Sequence, residues 1–288
     1  MDNIRIETVF NKLTQKLICE TLTKIQFIFP HPAILLKEKS CRALVVADLH
    51  IGWEKLLSQK GIHIPSQTPK LKRQLLNLIK ETKPKYLILL GDIKDAITNV
   101  SMQEWKEITE FFGTIQEEVS EIHVILGNHD GNLKQLLPKK IKIIAASGTI
   151  IGNVGLIHGH AWPAPELFKC KYLIIGHIHP TVTIRDPMGL KMTKQVFIKA
   201  SCNIQQLKKK LPSKNFKKSI FNFSTMQLFI LPSFNQFLGG RSVNQTKKKN
   251  GTFIGPILRS GCVNMNDAET YLLDGTFLGT IRQLKTLS

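Results

Sequence analysis

Short apolar runs, each followed by polar residues, recur along the first two thirds of the chain. They are nearly continuous stretches of aliphatic residues, which is typical of strands buried on both faces, and they occupy residues 42–47, 86–90, 122–126, 154–157 and 172–175. Two segments between them have apolar residues at helical spacing instead, namely residues 69–82 and 101–119. Strands that alternate with helices predict an α/β fold with parallel strands.

The second helix has further signals. Ser101 with Glu104 is the pattern of a capping box at its first turn. We expect Trp105 to lie on its inward face, together with Ile108, Phe111 and Phe112.

The remaining parts of the chain are less regular. Residues 1–40 are interpreted as a basic lead-in followed by the first strands, and residues 41–288 as a single domain. Asp274 and Gly275 separate two strand-like segments, so we predict a C-terminal hairpin over residues 270–280. Two lysine-rich stretches are predicted to be exposed basic loops, near residues 205–218 and 244–251.

Charge and cysteine content restrict the class of protein. The 288 residues carry a formal net charge of +19, which favours polyanionic partners such as nucleic acid, although solvated surface lysines would give the same value. The five cysteines are odd in number and lack a C-x-x-C pair, which argues against a disulfide framework or a zinc ribbon. With neither a secretory signal at the start nor a run of about 20 apolar residues, we expect a cytoplasmic protein without membrane association.

Polar clusters follow each of the five apolar runs, and they are where we expect chemistry. Ligands of open α/β sheets bind at the carboxyl ends of the strands. Each cluster alone is also typical of a turn or a helix cap, but one metal centre explains all five together. We therefore predict that the metal ligands are Asp48, His50, Asp92, Asn128, His158, His177 and His179.

Three neighbouring residues could serve the same centre in other ways. His160 is an alternative to His158 as a ligand, and we favour His158 because it lies closer to the strand end. His129 points away from Asn128 and is free for proton transfer. Asp95 could orient a neighbouring histidine or cap the turn that begins at Ala96.

In order and spacing, the motifs D-L-H, G-D-I-K-D, G-N-H-D, H-G-H and G-H-I-H resemble those of the calcineurin-like metallophosphoesterase superfamily. The resemblance implies a four-layer α/β/β/α sandwich, with two mixed sheets flanked by helices. It also implies that His129 protonates the leaving oxygen, with Asp95 as its orienting partner. One metal would then be held by Asp48, His50, Asp92 and His179, and the other by Asp92, Asn128, His158 and His177.

The donor set and the flanking residues suggest which metal and which substrate. Nitrogen and oxygen ligands without thiolate favour two divalent ions, most readily Mn²⁺, with Fe, Zn or Ni as alternatives. Ala96 and Asp130 stand where the protein serine/threonine phosphatase branch has arginine and glutamate, so that branch is disfavoured. The segments A-D-L-H-I-G-W-E-K-L-L and L-P-S-F-N-Q-F-L-G-G instead resemble a group related to the SbcD repair nuclease.

We therefore predict a phosphodiesterase or nuclease that acts on nucleic acid, with a role in DNA repair. The alternatives are a phosphodiesterase or phosphatase for a small nucleotide or metabolite, and a metal-bound DNA-binding partner without activity. The lysine-rich stretches contain few aromatic residues for base stacking. Trp53 is the aromatic residue that could touch substrate, unless it packs beneath the next helix.

Overall fold

The computed structural model describes residues 23–39, 41–98, 100–186, 188–211, 223–245 and 253–287. A six-stranded sheet contains the first strands in chain order. Strands β3 to β6 are parallel, whereas β1 and β2 are antiparallel additions at one edge. The strands are β1 (Lys24–Phe27), β2 (Ala33–Lys37), β3 (Arg42–Ala47), β4 (Tyr86–Leu90), β5 (Glu121–Ile125) and β6 (Lys142–Ile144).

A second, nine-stranded sheet contains the later strands of the described chain. Three of them are parallel neighbours in the order β8, β9 and β12, and the long β11 pairs with β10, β12 and β14 in antiparallel fashion. Its strands are β7 (Thr149–Ile151), β8 (Val154–Leu156), β9 (Tyr172–Ile175), β10 (Pro180–Arg185), β11 (Lys191–Asn203), β12 (Thr225–Ile230), β13 (Arg241–Ser242), β14 (Val263–Leu272) and β15 (Phe277–Thr280).

Helices cover the outer face of each sheet. The α-helices are α1 (Glu54–Ser58), α2 (Thr68–Thr82), α3 (Met102–Ile115), α4 (Ile204–Lys210), α5 (Pro256–Arg259) and α6 (Ile281–Leu284). Short 3₁₀ turns occupy Leu133–Gln135, Pro165–Lys169 and Lys285–Leu287. Within the described residues, no helix combines the length and the apolar character needed to cross a lipid bilayer.

Three hydrophobic cores define the layers. Leu75 of α2 and Phe111 of α3 pack with Leu44 and Leu89 on the outer face of the first sheet. The opposite face of that sheet contributes residues such as Val45 to a core shared with Ile174 and Phe229 of the second sheet. The outer face of the second sheet packs against α4, α5 and α6. The predicted α/β fold with two mixed sheets between helices is therefore confirmed.

The elements next to the polar clusters form close to the predicted positions. Residues 42–47 and 86–90 are strands with the predicted bounds, and α2 begins one residue before the predicted segment. The chain reverses at Asp274 and Gly275 between β14 and β15, within the segment predicted as a hairpin. The predicted division into a lead-in and one domain stays a prediction, and residues 1–22 lie outside the described residues.

Two predictions need correction. Residues 204–210 of the first lysine-rich stretch form helix α4 rather than a loop, because the side chain of Asn203 caps its first turn and Ile204 and Leu207 are buried. Trp105 is 49% exposed rather than on the inward face of α3, where Glu104 is buried instead. Residues 212–218 and 246–251 of the basic stretches lie outside the described residues.

Candidate metal centre

The polar residues that follow β3, β4, β5, β8 and β9 meet where the two sheets come together. The register pairs Ala47 of β3 with Leu90 of β4, and Leu90 with Ile125 of β5, so these three strands end level with one another. The backbone N–H of His177, after β9, donates a hydrogen bond of 3.0 Å to Oδ2 of Asp48, after β3. Side chains far apart in sequence therefore share one site.

A first cluster contains Asp48, His50 and His179, whose candidate ligand atoms lie within 4.8 Å of one another. Nε2 of His179 is 3.4 Å from Oδ1 of Asp48. In the described part of the chain, Oδ1 of Asp48, Nε2 of His50 and Nε2 of His179 are buried and have no hydrogen-bond partner. Because a buried polar atom without a partner is costly, three such atoms in one cluster fit a cation.

A second cluster contains Asp92, His158 and His177, with Asn128 beside them. Nε2 of His158 lies 3.1 Å from Nδ1 of His177 and 3.2 Å from Oδ1 of Asn128. Two ring nitrogens that face each other at this distance repel unless a proton or a metal ion lies between them. The donor set of two imidazoles, a carboxylate and an amide oxygen fits a divalent ion.

Asp92 lies between the two clusters. Its Oδ2 is 3.5 Å from Nε2 of His50 and 3.3 Å from Nε2 of His158. Its Oδ1 accepts a hydrogen bond of 2.9 Å from the backbone N–H of His129. One carboxylate oxygen thus faces a histidine of each cluster, as a bridging ligand would.

In His50 and His158, the ring nitrogen that faces away from the residue's own cluster, Nδ1, forms a hydrogen bond. Nδ1 of His50 is 3.0 Å from Oδ1 of Asp95, and Nδ1 of His158 donates to the carbonyl oxygen of Leu90 at 2.7 Å. Such a partner fixes the ring and directs Nε2 toward the cluster, which is the usual arrangement around metal-binding histidines.

Electrostatics keep the two aspartates ionised despite burial. Burial alone would raise the pKa of Asp48, but the nearby imidazoles of His179 and His158 outweigh it and lower this pKa. Burial likewise opposes ionisation of Asp92, yet its hydrogen bond and charge interaction with His158 hold the pKa well below the usual range. Both side chains are therefore carboxylates at neutral pH, as metal ligation requires.

The pKa values of the two histidines in the second cluster are shifted in opposite directions. Burial disfavours the charged form of His158, but the hydrogen bond to Asp92 and the charge of Asp48 raise its pKa to about 9. Burial, together with the charge of His158, lowers the pKa of His177 to about 4. His177 is thus a neutral imidazole at pH 7, the form that binds metals.

The backbone at the site adopts conformations that L-residues disfavour. Among the described residues, seven other than glycine have a positive φ, and five of these belong to the clusters: Asp48, His50, Asp92, His177 and His179. Each such residue costs on the order of 1–3 kcal/mol. Glycine would adopt these conformations without strain. The presence of aspartate and histidine instead indicates that their side chains serve a function at this site.

Two motif glycines make room for the carboxylates. A Cβ on Gly127 would lie 2.1 Å from Oδ1 of Asp92, and a Cβ on Gly176 would lie 2.7 Å from Oδ2 of Asp48. Any side chain at either position would displace a carboxylate.

His129 lies beside the first cluster. Its ring centroid is 4.8 Å from that of His50, and its Nδ1 donates to the backbone carbonyl of Asp95 at 2.5 Å. The carboxylate of Asp95 contacts His50 rather than His129. The Asp95 backbone therefore orients His129, while the Asp95 side chain orients His50.

His158, and not His160, enters the cluster. The side chain of His158 is fully buried, with Nε2 near Asp92, Asn128 and His177. The ring of His160 lies 5.2 Å from that of His158, and its Nδ1 is buried without a partner among the described residues.

Sequence reasoning did not find two residues that support the site. Ser233 and Asn235 follow β12 and are fully buried. Oγ of Ser233 donates to the carbonyl of Asp48 at 2.8 Å, and Nδ2 of Asn235 donates to the carbonyl of Leu49 at 3.0 Å. Both residues belong to the segment L-P-S-F-N-Q-F-L-G-G, whose resemblance to the SbcD-related group is the sequence feature that could have indicated them.

The same segment also positions an aromatic pair beside the site. Phe237 stacks on Trp53 with ring centroids 6.2 Å apart and planes 12° apart, and Nζ of Lys70 lies 4.4 Å from the Phe237 centroid. Trp53 therefore packs against Phe237, which is itself 43% exposed.

Comparison with known proteins agrees with this geometry. Residues 41–169 match the calcineurin-like phosphoesterase family. The matched segment contains Asp48, His50, Asp92, Asn128 and His158. The match confirms the prediction of a metal-dependent phosphoester hydrolase. Proteins of the matched family bind two divalent metals, and the two clusters described above offer candidate Asp and His ligands. A comparison with curated proteins finds no match.

Solved structures support the fold. The chain is similar to the nuclease MPE of Pseudomonas putida, with a TM-score of 0.52 and 19% identity over 88% of this chain and 98% of that one. It is also similar to YfcE, a phosphoesterase from E. coli, with a TM-score of 0.37 and 16% identity over 82% of this chain and 96% of that one. The first of these likenesses shows a shared fold.

Proposed function

We propose that this chain is a two-metal-dependent phosphodiesterase that acts on nucleic acid. The observation that carries the proposal is the position of Asp92, whose Oδ2 faces a histidine of each of two buried clusters. In this proposal Asp48, His50, Asp92 and His179 hold one ion, and Asp92, Asn128, His158 and His177 hold the other. Two divalent ions held there would supply Lewis-acid stabilisation to a phosphoryl group.

We assign Mn²⁺ to both positions. The proposed ligands are imidazole nitrogens and carboxylate or amide oxygens, and thiolate is absent from the clusters formed by the described residues. Carboxylate and amide oxygens favour Mn²⁺ over softer ions, and imidazole leaves Fe, Zn and Ni as the competing metals.

His129 is the proposed proton donor to the leaving oxygen. Its Nδ1 is engaged by the carbonyl of Asp95, so Nε2 is the nitrogen that can hold a proton for the substrate. The ring lies against His50 without belonging to either proposed ligand set. General acid catalysis of this kind contributes about 10²- to 10⁴-fold in rate.

Charge and likeness support nucleic acid as the substrate. The net charge of +19 attracts a phosphate backbone by counterion release. The Pseudomonas putida protein of similar fold is a nuclease, and we extend that activity to this chain as part of the proposal. The sequence segments that resemble the SbcD-related group add a role in DNA repair to it.

A metal-dependent hydrolysis assay tests the proposal. Protein freed of metal with EDTA and reloaded with Mn²⁺ is incubated with bis(p-nitrophenyl) phosphate and with end-labelled single- and double-stranded DNA. We expect turnover of the diester and cleavage of DNA, both abolished by EDTA. Asp92→Asn serves as the matched control, because the substitution keeps the shape of the side chain and removes the bridging charge.

The outcomes separate the parts of the proposal. No turnover of any diester by the reloaded protein would contradict the assigned activity. Turnover of the chromogenic diester without DNA cleavage would instead refute nucleic acid as substrate and favour a small nucleotide or metabolite.

A further inference from the structure

A lysine is completely buried beside the candidate metal centre. Lys94 is 0% exposed and is among the largest fully buried side chains of the described chain. A buried ammonium group is rare and costly unless each N–H finds an acceptor. Its partners therefore indicate what the residue does.

All three acceptors of Lys94 are backbone carbonyls. Nζ donates to the carbonyl oxygens of His129 and Ala96, and to that of Ile97 at 3.2 Å. Ala96 and Ile97 directly follow Asp95 in the segment after β4, and His129 lies in the segment after β5. The ammonium group thus connects the two segments that carry the candidate proton donor and its orienting carbonyl.

Asp130 makes the reciprocal connection. Its Oδ1 accepts a hydrogen bond of 2.8 Å from the backbone N–H of Ile93, and its Oδ2 accepts one of 2.8 Å from Gly127. The side chain beside His129 therefore reaches into the segment after β4, while the side chain beside Asp95 reaches into the segment after β5. The ammonium group of Lys94 and the carboxylate of Asp130 thus each connect one segment to the other, and together they fix the relative position of the two segments.

This relative position determines the orientation of the His129 ring. The ring is held by the hydrogen bond from Nδ1 to the carbonyl of Asp95, which lies in the other segment. A relative shift of about 1 Å between the segments would break that bond, and misplacement on this scale costs on the order of 10²-fold in rate.

We propose that Lys94 is a positioning residue for phosphoester hydrolysis, which fixes the segment after β4 against the segment after β5 so that Asp95 holds the His129 ring. This inference rests on the proposed role of His129. An ammonium group suits the task because it has three donors and no acceptor, and the carbonyls that it joins point to one place.

The test combines substitution at Lys94 with substitution at His129. Lys94→Met keeps the apolar volume and removes the donors, and we expect a fall in kcat of roughly 10- to 100-fold with KM and bound Mn²⁺ near the wild-type values. Lys134→Met, at an exposed lysine in the turn after Asp130, is the matched control and should leave kcat unchanged. End-labelled DNA is the substrate throughout, because its alkoxide leaving group needs a proton, whereas the p-nitrophenolate of a chromogenic diester departs without one.

A double-mutant cycle shows whether the effect passes through His129. In the His129→Ala background, Lys94→Met should lower kcat by less than about twofold, because the ring that it positions is already absent. A further fall as large as in the wild-type background would overturn the inference, since Lys94 would then act on the site by another route.

A spectroscopic readout keeps this test independent of turnover. The ring of His129 in ¹⁵N-labelled protein without metal should report a hydrogen-bonded Nδ1 in the wild type and in Lys94→Arg, and lose that signature in Lys94→Met. An unchanged His129 signal in Lys94→Met would overturn the inference, even if the wild-type protein turned over no diester and the proposed function itself failed. Should Lys94→Met not fold, Lys94→Gln takes its place with the same expectations, because its amide ends one bond short of the Nζ position and its two N–H groups cannot join all three carbonyls.

Discussion

The loop after β12 offers a direct test of how the first cluster is held. Asn235 is fully buried, and its Nδ2 donates to the carbonyl of Leu49 at 3.0 Å. Its Oδ1 accepts from the backbone N–H of Phe237 at 3.2 Å. Leu49 lies between Asp48 and His50, so one amide connects this loop to two proposed ligands. We predict that Asn235→Ala both destabilises the fold and weakens metal binding.

The size of the effect follows from the two hydrogen bonds. Leu49 is completely buried, so its carbonyl would lose its donor without access to water, at a cost of about 1–3 kcal/mol. Phe237 is 43% exposed, so its N–H can find water in place of Asn235, and the loss of this hydrogen bond adds about 1 kcal/mol. Together they predict a loss of about 2–4 kcal/mol in the free energy of unfolding.

Metal binding should weaken for a separate reason. Asp48 and His50 have φ values of 59° and 44°, a conformation that surrounding contacts must maintain. Without the contact to Leu49 the segment can relax, and loss of a contact that supports a metal ligand typically costs about 10- to 100-fold in affinity. We expect this reduction for one of the two ions.

Urea unfolding in EDTA measures the first effect and calorimetric titration with Mn²⁺ measures the second. Asn77→Ala, at an exposed position of α2, is the matched control and should change the unfolding free energy by less than about 0.5 kcal/mol. The reasoning is refuted if Asn235→Ala unfolds within that same margin of the wild type, or if both ions bind as in the wild type.

Three further predictions concern individual side chains. His158→Ala should lower the metal content from two ions toward one by elemental analysis while His160→Ala retains both, and a loss of metal in His160→Ala would reverse the assignment. His129→Ala should leave bound metal nearly unchanged while diester hydrolysis falls by about 10²- to 10⁴-fold; a parallel fall in metal content would argue against a proton donor. Burial raises the pKa of Glu104 above its ordinary value of 4.5, so the stability that it contributes is complete below that pH and is lost as the pH rises. Glu104→Gln should therefore show a smaller decrease in Tm between pH 4.5 and pH 7 than the wild type, and an equal decrease would contradict the assignment.

The parts of the fold predictable from sequence were those in which burial fixes the residue type. Residues 42–47 and 86–90 lie inside a sheet covered on both faces, so nearly every position is apolar and both ends are visible. Because these strands are parallel, the polar residues that follow them lie at the same edge of the sheet. The placement of Asp48 and Asp92 near each other could therefore be predicted without knowledge of the loops.

The contacts that support the site could not be predicted in this way. Lys94 has the residue type of an exposed position, and only the tertiary arrangement of three carbonyls explains its burial. Trp105 has the residue type of a core position, but Glu104 occupies the buried side of that turn because it accepts a hydrogen bond from the backbone of Ala96. Long-range polar contacts leave no periodic pattern in a sequence.

The left-handed residues of the candidate metal centre affect any attempt to raise the thermal stability of the protein. Substitution of Asp48, His50 or His179 by glycine removes the local backbone strain and, in the absence of metal, also removes buried polar groups that lack partners. A library screened in the absence of metal for resistance to heat would therefore enrich glycine at the proposed ligand positions. Laboratory evolution of this chain for stability therefore requires selection in the presence of metal, so that thermal stability is not gained through loss of the proposed ligands.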